Sequence, residues 1–396
     1  MRKGWEYKKL GDCFSYIKNG ANIKQKKDAD GFPITRIETL SGGVFNRDRM
    51  GYAGIHDLSK YADYVLESKD LLMSHINSKT YIGRTVEYKR NNEETIIHGM
   101  NLLRLKVIHE LIDSTFFAYY TQSGDFKSKI ARIRKDAVNQ SSFAISDLKR
   151  FDIPLPPKST QLAIVTELDK INELIRLKKE QLKDFDNLAQ SLFYEMFGDP
   201  VENEKGWEVK KLGDVCTDIK YGTSKPASEN GRYTYLRMCN LTTDGFLNLS
   251  NTKQIDIPDD EIEKCIVRYG DILFNRTNSI ELVGKTCLFD KKEPMVIAGY
   301  IIRVRLNDTL LPVVLARMFN LASIKKLLRS MAKGAVNQAN INSKELASIR
   351  IPLPPLPLQR LFAQRIEQIE REKSEVQKSI QDLETLQASR MQYWFE

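Results

Sequence analysis

The chain is one unit written twice, and no other feature restricts its fold so tightly. GWEYKKLGD at 4–12 returns as GWEVKKLGD at 206–214, AVNQ at 137–140 returns at 335–338, and IPLPP at 153–157 returns at 351–355. Between these anchors KDLLMSHINSKTYIGRT (69–85) lies against GDILFNRTNSIELVGKT (270–286), and IIHGMNLLRLKV (96–107) against VIAGYIIRVRLN (296–307). Matched positions stay 198 to 202 residues apart throughout. A fixed period held over a whole chain means that one structural unit is present twice. Whatever the first half folds into, the second half folds into as well.

Each copy ends in a long helix. After IPLPP, whose prolines suit a helix entry, positions 164, 168, 171, 175, 178, 182, 185, 189, 192 and 196 alternate steps of four and three. All but Lys178 can enter an apolar seam, the heptad pattern of a coiled coil. The second copy repeats the seam at Phe362, Ile366, Ile369, Lys373, Val376, Ile380 and Leu383, with poorer last turns. The seam of the first copy runs through Ile164, Leu168, Ile171, Ile175, Leu182 and Phe185. A narrow seam wants one partner helix, and each copy supplies one. Two copies related by a pseudo-twofold axis meet antiparallel. Apolar residues outside the seam (Leu174, Leu177, Leu188, Phe193, Phe197) are expected on an outer face, available to another protein.

Ahead of each helix stands a larger block of mixed pattern. Runs at 233–238, 271–276, 286–289 and 297–304 read as short strands bounded by polar turns, and 114–134 and 311–331 read as helices. The fold class is α+β: two tandem domains, 1–157 and 200–355, each followed by a spacer helix, 158–199 and 356–396. The net charge of +9 is concentrated in the two large blocks, while the helical stretches are slightly acidic. Basic domains on acidic helices suit nucleic acid on the former and protein on the latter. The five cysteines are widely spaced without a CxxC pair, and only four histidines are present. A structural zinc site is not expected, and reduced thiols fit a cytoplasmic protein. No signal peptide or membrane span is legible, so no membrane association is expected.

Catalytic motifs give only near misses. Gly284-Lys285-Thr286 resembles the end of a phosphate-binding loop, yet Ser279 stands where its first glycine belongs. Asp70 with Glu87 and Lys89 roughly has the spacing of a metal-dependent nuclease, but the second copy does not repeat the Glu and Lys. No dinucleotide-binding glycine motif occurs.

The ordered set of motifs resembles the specificity subunits of Type I restriction–modification enzymes over the whole chain. It consists of GWExxKLGD opening each half, DILFNRTNS…ELVGKT, the AVNQ loops, IPLPP before each long helix, and FYEMFGD closing the first. The resemblance implies two target-recognition domains, each reading one half of a split DNA site, and an antiparallel pair of spacer helices that docks modification subunits. It implies double-stranded DNA and two modification subunits as partners, with two restriction subunits where the complex also cleaves. It implies no catalysis and no cofactor on this chain; S-adenosylmethionine is expected on the methyltransferase partner. Many members carry Leu-x-Glu-Gln after the second LPP, whereas this chain keeps only the glutamines, Gln161 and Gln359.

Candidate DNA contacts follow from side-chain chemistry. Segment 275–285 offers Asn275, Arg276, Asn278 and Lys285 at a hairpin turn, where arginine can fork to guanine and asparagine to adenine. The matching segment offers His75, Asn77, Lys79 and Arg84, a different set, as two different half-sites require. Asn139 and Gln140 recur as Asn337 and Gln338; a shared pair cannot discriminate two half-sites, so these are loop formers or phosphate contacts. Arg132 and Arg134 match Lys326 and Arg329 as basic helix ends suited to phosphate. Two other readings remain: a free-standing DNA-binding or adaptor protein of the same fold, and a nuclease using Asp70.

Overall fold

The structure, a computed structural model, describes residues 4–26, 29–138, 140–335 and 338–396, without the side chains of 333–335. It divides into two compact units, Met1–Lys178 with Ser379–Glu396, and Lys179–Lys378.

In the first unit a four-stranded antiparallel sheet runs in the order Phe14–Asn19, Leu102–Val107, Leu71–Ser74, Thr85–Glu87. Alternate residues of a strand face opposite sides, and here both sides are covered. Leu71, Met73, Leu103 and Leu105 face the helices, α1 (Ser114–Tyr120) and α2 (Gly124–Ile133). Leu72, Val86, Tyr88 and Leu102 fill a second core on the other face. That double burial explains why Leu71-Leu72-Met73 is an unbroken apolar run. Strand Glu6–Lys9 pairs with Asp152–Leu155, and a small sheet joins Ile76–Asn77, Ser141–Ser142 and Lys135–Asp136. The short α3 (Ile145–Lys149) leads to α4 (Lys158–Phe197).

The second unit repeats this arrangement. Its main sheet runs Cys216–Tyr221, Ile301–Leu306, Ile272–Asn275, Thr286–Leu288, and strand Glu208–Lys211 pairs with Arg350–Leu353. A further sheet of Lys253–Ile255, Tyr233–Leu236, Met295–Ile297 and Ile266–Val267 contains one parallel pair. In the first unit its place is taken by isolated bridges, Ile34 with Ile97 and Ile97 with Val65, in the same parallel and antiparallel senses. The helices are α5 (Ile262–Cys265), α6 (Pro312–Phe319), α7 (Ala322–Met331), α8 (Ser343–Ala347) and α9 (Leu356–Phe395).

Two sequence expectations need correction. The helices at 114–134 and 311–331 are each broken in two. In the first, Ser123 caps α2 by accepting the Phe126 N–H, which starts a new helix. In the second, α6 ends at Phe319 and α7 begins at Ala322. The strand at 297–304 is likewise interrupted, at 298–300, between Met295–Ile297 and Ile301–Leu306.

The long helices span 40 residues each, about 60 Å at 1.5 Å per residue. In the first unit Ile164 and Leu168 of α4 share a core with Met391, Trp394 and Phe395 from the end of α9. In the second, Ala189, Leu192 and Phe193 from the end of α4 share one with Phe362, Ile366 and Ile369 from the start of α9. The pair is therefore antiparallel. Ile171, Ile175, Val376 and Ile380 are buried, and Leu182, Phe185 and Leu383 half-buried, as the seam requires. Phe193 and Phe197 correct the expected outer face: both are buried, with ring centroids 5.5 Å and 5.0 Å from Phe362. Leu174, Leu177 and Leu188 do face solvent. Among the described residues no helix is long and apolar enough to cross a membrane.

Candidate nucleic-acid interface

The same hairpin frame stands in both units. In the second, Asn275 N–H donates to the Lys285 carbonyl and Gly284 N–H to the Asn275 carbonyl. The connecting loop leaves the main sheet at Thr277–Asn278, which pairs with Gln338–Asn340. Asn278 Nδ2 donates to Asn275 Oδ1 (2.9 Å), and its own Oδ1 accepts the Ser279 N–H (2.9 Å). In the first unit Asn77 Nδ2 donates to Ser74 Oγ (3.0 Å) and its Oδ1 accepts the Ser78 N–H (2.8 Å). Asn77 and Asn278 thus form the turn. Gly83 and Gly284 bring the returning strand against α2 and α7 at φ of +81° and +83°. A Cβ there would meet Ile130 at 3.0 Å or Leu328 at 2.7 Å.

Several candidate readers are taken up by this frame, which corrects their expected availability. Asn275 is fully buried, and its Nδ2 donates to the carbonyls of Thr277 and Tyr300. Lys285 Nζ donates to the carbonyls of Met238 (2.9 Å) and Leu241 (2.6 Å), and burial lowers its pKa. Arg84, its counterpart, donates to the Leu40 carbonyl at 3.3 Å and lies 4.4 Å over the Tyr81 ring. Both cations pin the loop ahead of the hairpin. His75 is buried edge-on to Phe143, and burial drops its pKa to about 4, so it is neutral.

Arg276, the counterpart of His75, is placed differently. Its N–H donates to the Tyr300 carbonyl and its own carbonyl accepts the Ile341 N–H, which fixes the backbone on both sides. Its guanidinium lies 4.9 Å over the Tyr221 ring, with Nε buried and lacking a hydrogen-bond partner among the described residues. Tyr221 and Tyr300 are partly exposed beside it. In the sequence both tyrosines are marked by position alone, at a strand end and a tight turn where the first copy has Asn19 and Met100.

In the first unit the hairpin loop and α2 enclose a groove of about 430 Å³, with Ile82, Phe126 and Ile130 in its lining and Lys79, Arg84, Lys127 and Arg134 contributing charge. Lys79 and Arg134 share the Asp136 carboxylate at 3.0 Å and 2.8 Å. With the Ser141 hydroxyl they hold its pKa near 2. Arg132 and Gln140 are exposed, as are Lys326, Arg329 and Gln338 in the second unit. Arg329 reaches the Glu281 carbonyl at 3.5 Å. Asn139 and Asn337 lie outside the described residues.

The nuclease carboxylates have other partners. Asp70 lies 2.6 Å from the Arg104 guanidinium and accepts the Glu67 N–H. Glu87 accepts the hydroxyls of Ser114 and Thr115 at the start of α1. Among the described residues no group of three or more His, Cys, Asp or Glu side chains is placed to hold a metal ion.

A duplicated, basic, hairpin-bearing domain on paired helices defines a class of DNA-recognition protein, and comparison with known proteins gives the family. The family model described as Type I restriction modification DNA specificity domain matches residues 2–184 and again 204–385. The chain belongs to this family, as a DNA-specificity subunit of a Type I restriction–modification system and not a catalytic one. It is 29% identical over 403 residues to the Type I restriction enzyme MjaX specificity subunit of Methanocaldococcus jannaschii, covering 95% of this chain and 90% of that one. To the EcoKI specificity subunit of Escherichia coli it is 23% identical, covering 93% and 82%. Among solved structures, one from work on complex assembly and conformational transition of the type I R-M system superposes with a TM-score of 0.61 at 19% identity, covering 100% and 98%. The S subunit from M. genitalium superposes at 0.52 and 16% identity, covering 98% and 95%. These two establish likeness of fold.

Proposed function

We propose that the domains of the two units each read one half of a bipartite duplex target, on opposite strands, and that the paired helices set the gap and dock two modification subunits. The observation that carries this reading is the duplicated frame with unlike contents. Asn77 and Asn278 make matching turns, while His75 is sealed and its counterpart Arg276 is stacked on Tyr221. One backbone presenting two side-chain sets reads two sequences. Domains related by a twofold axis meet a duplex in opposite strand senses. The exposed Leu174, Leu177 and Leu188 of α4 give the modification subunits an apolar surface. Methyl transfer, with its S-adenosylmethionine, takes place on those subunits, and restriction subunits join where the complex cleaves.

The test is to co-express the chain with the methyltransferase encoded beside it and map methylated adenines. A two-part motif with a fixed gap is expected, and exchanging segment 74–84 should alter one half only. A continuous motif would contradict the reading. Mass measurement should give two modification subunits per chain; a one-to-one complex would remove the pseudo-symmetry argument.

A further inference from the structure

The two domains carry a phenylalanine at the same place in the repeat, Phe45 and Phe246, and use it differently. Phe45 stays within its own domain: its ring lies 5.0 Å from Tyr88, under Arg47, which pairs with Glu94. Phe246 instead meets cations of α9 and α6. Lys373 Nζ of α9 lies 4.5 Å from its ring centroid, and the Arg317 guanidinium of α6 lies 5.6 Å from it. Arg317 in turn pairs with Glu370 of α9 at 2.5 Å.

Lys373 is no ordinary surface cation. It occupies a seam position, is 5% exposed, and pairs with Asp186 of α4. Its counterpart in the first helix is Ile175, so this polar link exists in one copy only. The loop that presents Phe246 is itself locked. Thr242 and Phe246 exchange main-chain and hydroxyl hydrogen bonds at 2.9 Å, and Lys325 Nζ donates to the Thr243 carbonyl at 2.7 Å. A ring contacted by a buried cation, Lys373, and a half-buried one, Arg317, is held in direction as well as in place.

We infer that Phe246, through Lys373 and Arg317, is a positioning residue: it fixes the angle at which the second recognition domain stands on its own helices, and so makes the complex strict about the gap between half-sites. Each added base pair moves a half-site by about 3.4 Å and turns it by roughly 35°. A domain stiffly joined to its helices cannot follow that turn. A loosened one can. The inference rests on the bipartite reading above.

The complete complex with modification subunits is assayed on targets with native half-sites and a gap that is native, one base pair shorter or one longer. Phe246→Leu keeps apolar bulk and removes the ring; Phe246→Trp keeps the ring. Phe246→Leu is expected to raise methylation of the two wrong-gap targets, relative to the native one, by about tenfold, the scale of one partly desolvated cation–π contact. Lys373→Met should do the same, Phe246→Trp should restore strictness, and Phe45→Leu should leave the gap profile unchanged. If Phe246→Leu keeps the wild-type profile, or weakens all three targets equally, or if Phe45→Leu relaxes the gap as much, the inference is overturned. A wild-type complex indifferent to the gap would instead overturn the bipartite reading itself.

Discussion

Asp70, just ahead of strand Leu71–Ser74, and Arg104, on the neighbouring strand of the first domain's sheet, meet at 2.6 Å with both side chains withdrawn from solvent. Burial pushes the Asp70 carboxyl up, while Arg104 and the Glu67 N–H pull it down. Removing one partner of a buried pair strands the other charge. Arg104→Ala is therefore expected to cost about 3–5 kcal/mol of first-domain stability, read from denaturant unfolding. Asp70→Asn strands the Arg104 charge and should also lower first-domain stability, while the methylated motif of the folded complex stays the same and neither chain cleaves DNA with added metal. Cleavage by the wild-type chain that Asp70→Asn abolishes would reinstate the nuclease reading.

Gln161 and Gln359 make the same three hydrogen bonds in their respective units. Gln161 Oε1 accepts the Asp113 N–H, and its Nε2 donates to the carbonyls of Leu111 and Pro156. Gln359 does so with Leu311, Thr309 and Pro354. Both are fully buried, so each tethers the first turn of a long helix to the loop before α1 or α6. Gln→Ala at either position takes this partner from three main-chain groups, one of them, the Pro156 or Pro354 carbonyl, fully buried. A loss of roughly 2–3 kcal/mol is expected, confined to the unit that carries the change. Equal destabilisation of both units would show that the tether is not local.

Two buried histidines make the first domain sensitive to mild acid. Burial lowers the pKa of His75 to about 4 and that of His98 to about 3, below the ordinary value of 6.5. The unfolded chain thus binds protons that the folded one refuses as pH falls below about 6.5. Stability is full above that pH and declines towards pH 4, by up to about 1.4 kcal/mol per pH unit for each histidine. Unfolding curves at pH 7, 6 and 5 check this. The slope should diminish in His75→Asn and in His98→Asn; a slope unchanged in both variants refutes the assignment.

Reading and holding separate in the second domain. If Arg276 contacts a guanine edge, Arg276→Ala costs on the order of 1–3 kcal/mol at one position of one half-site and relaxes the choice there. Lys326, exposed on α7, should behave otherwise. Lys326→Ala should weaken binding evenly across sequences and reduce the salt slope by about one ion. Binding of the complex to a library randomised in both half-sites, at two salt concentrations, distinguishes them. An Arg276→Ala complex with its preference intact would make the stack on Tyr221 purely structural.

Much of the architecture was legible because it is written in local pattern. The duplication, the heptad seams through Ile164 and Phe362, and the hairpin between Asn275 and Lys285 all follow from residue order and spacing. The break between α1 and α2 was less visible, since the Ser123 cap interrupts a stretch that otherwise keeps a helical rhythm. The burial of Phe193 and Phe197 is hidden in the sequence for a related reason. A heptad reading assigns one seam per helix, and here the end of α4 also closes the core of a domain.

By itself the sequence determined that one α+β unit occurs twice, that each copy ends in a helix of about 40 residues, and that those helices pair through one seam. These properties depend on neighbours a few residues away or on exact repetition. Only the tertiary structure decided which polar side chains remain available. Lys285 and Arg276 stand nine residues apart in one loop and look equally suited to DNA, yet carbonyls at 238 and 241 occupy the first, while Tyr221 carries the second. The same holds for Phe45 and Phe246, equivalent in sequence and wired to different partners. Hydrogen bonds and cation–π contacts form between groups brought together through space, so a side chain's role depends on segments that its own neighbourhood in the chain does not encode.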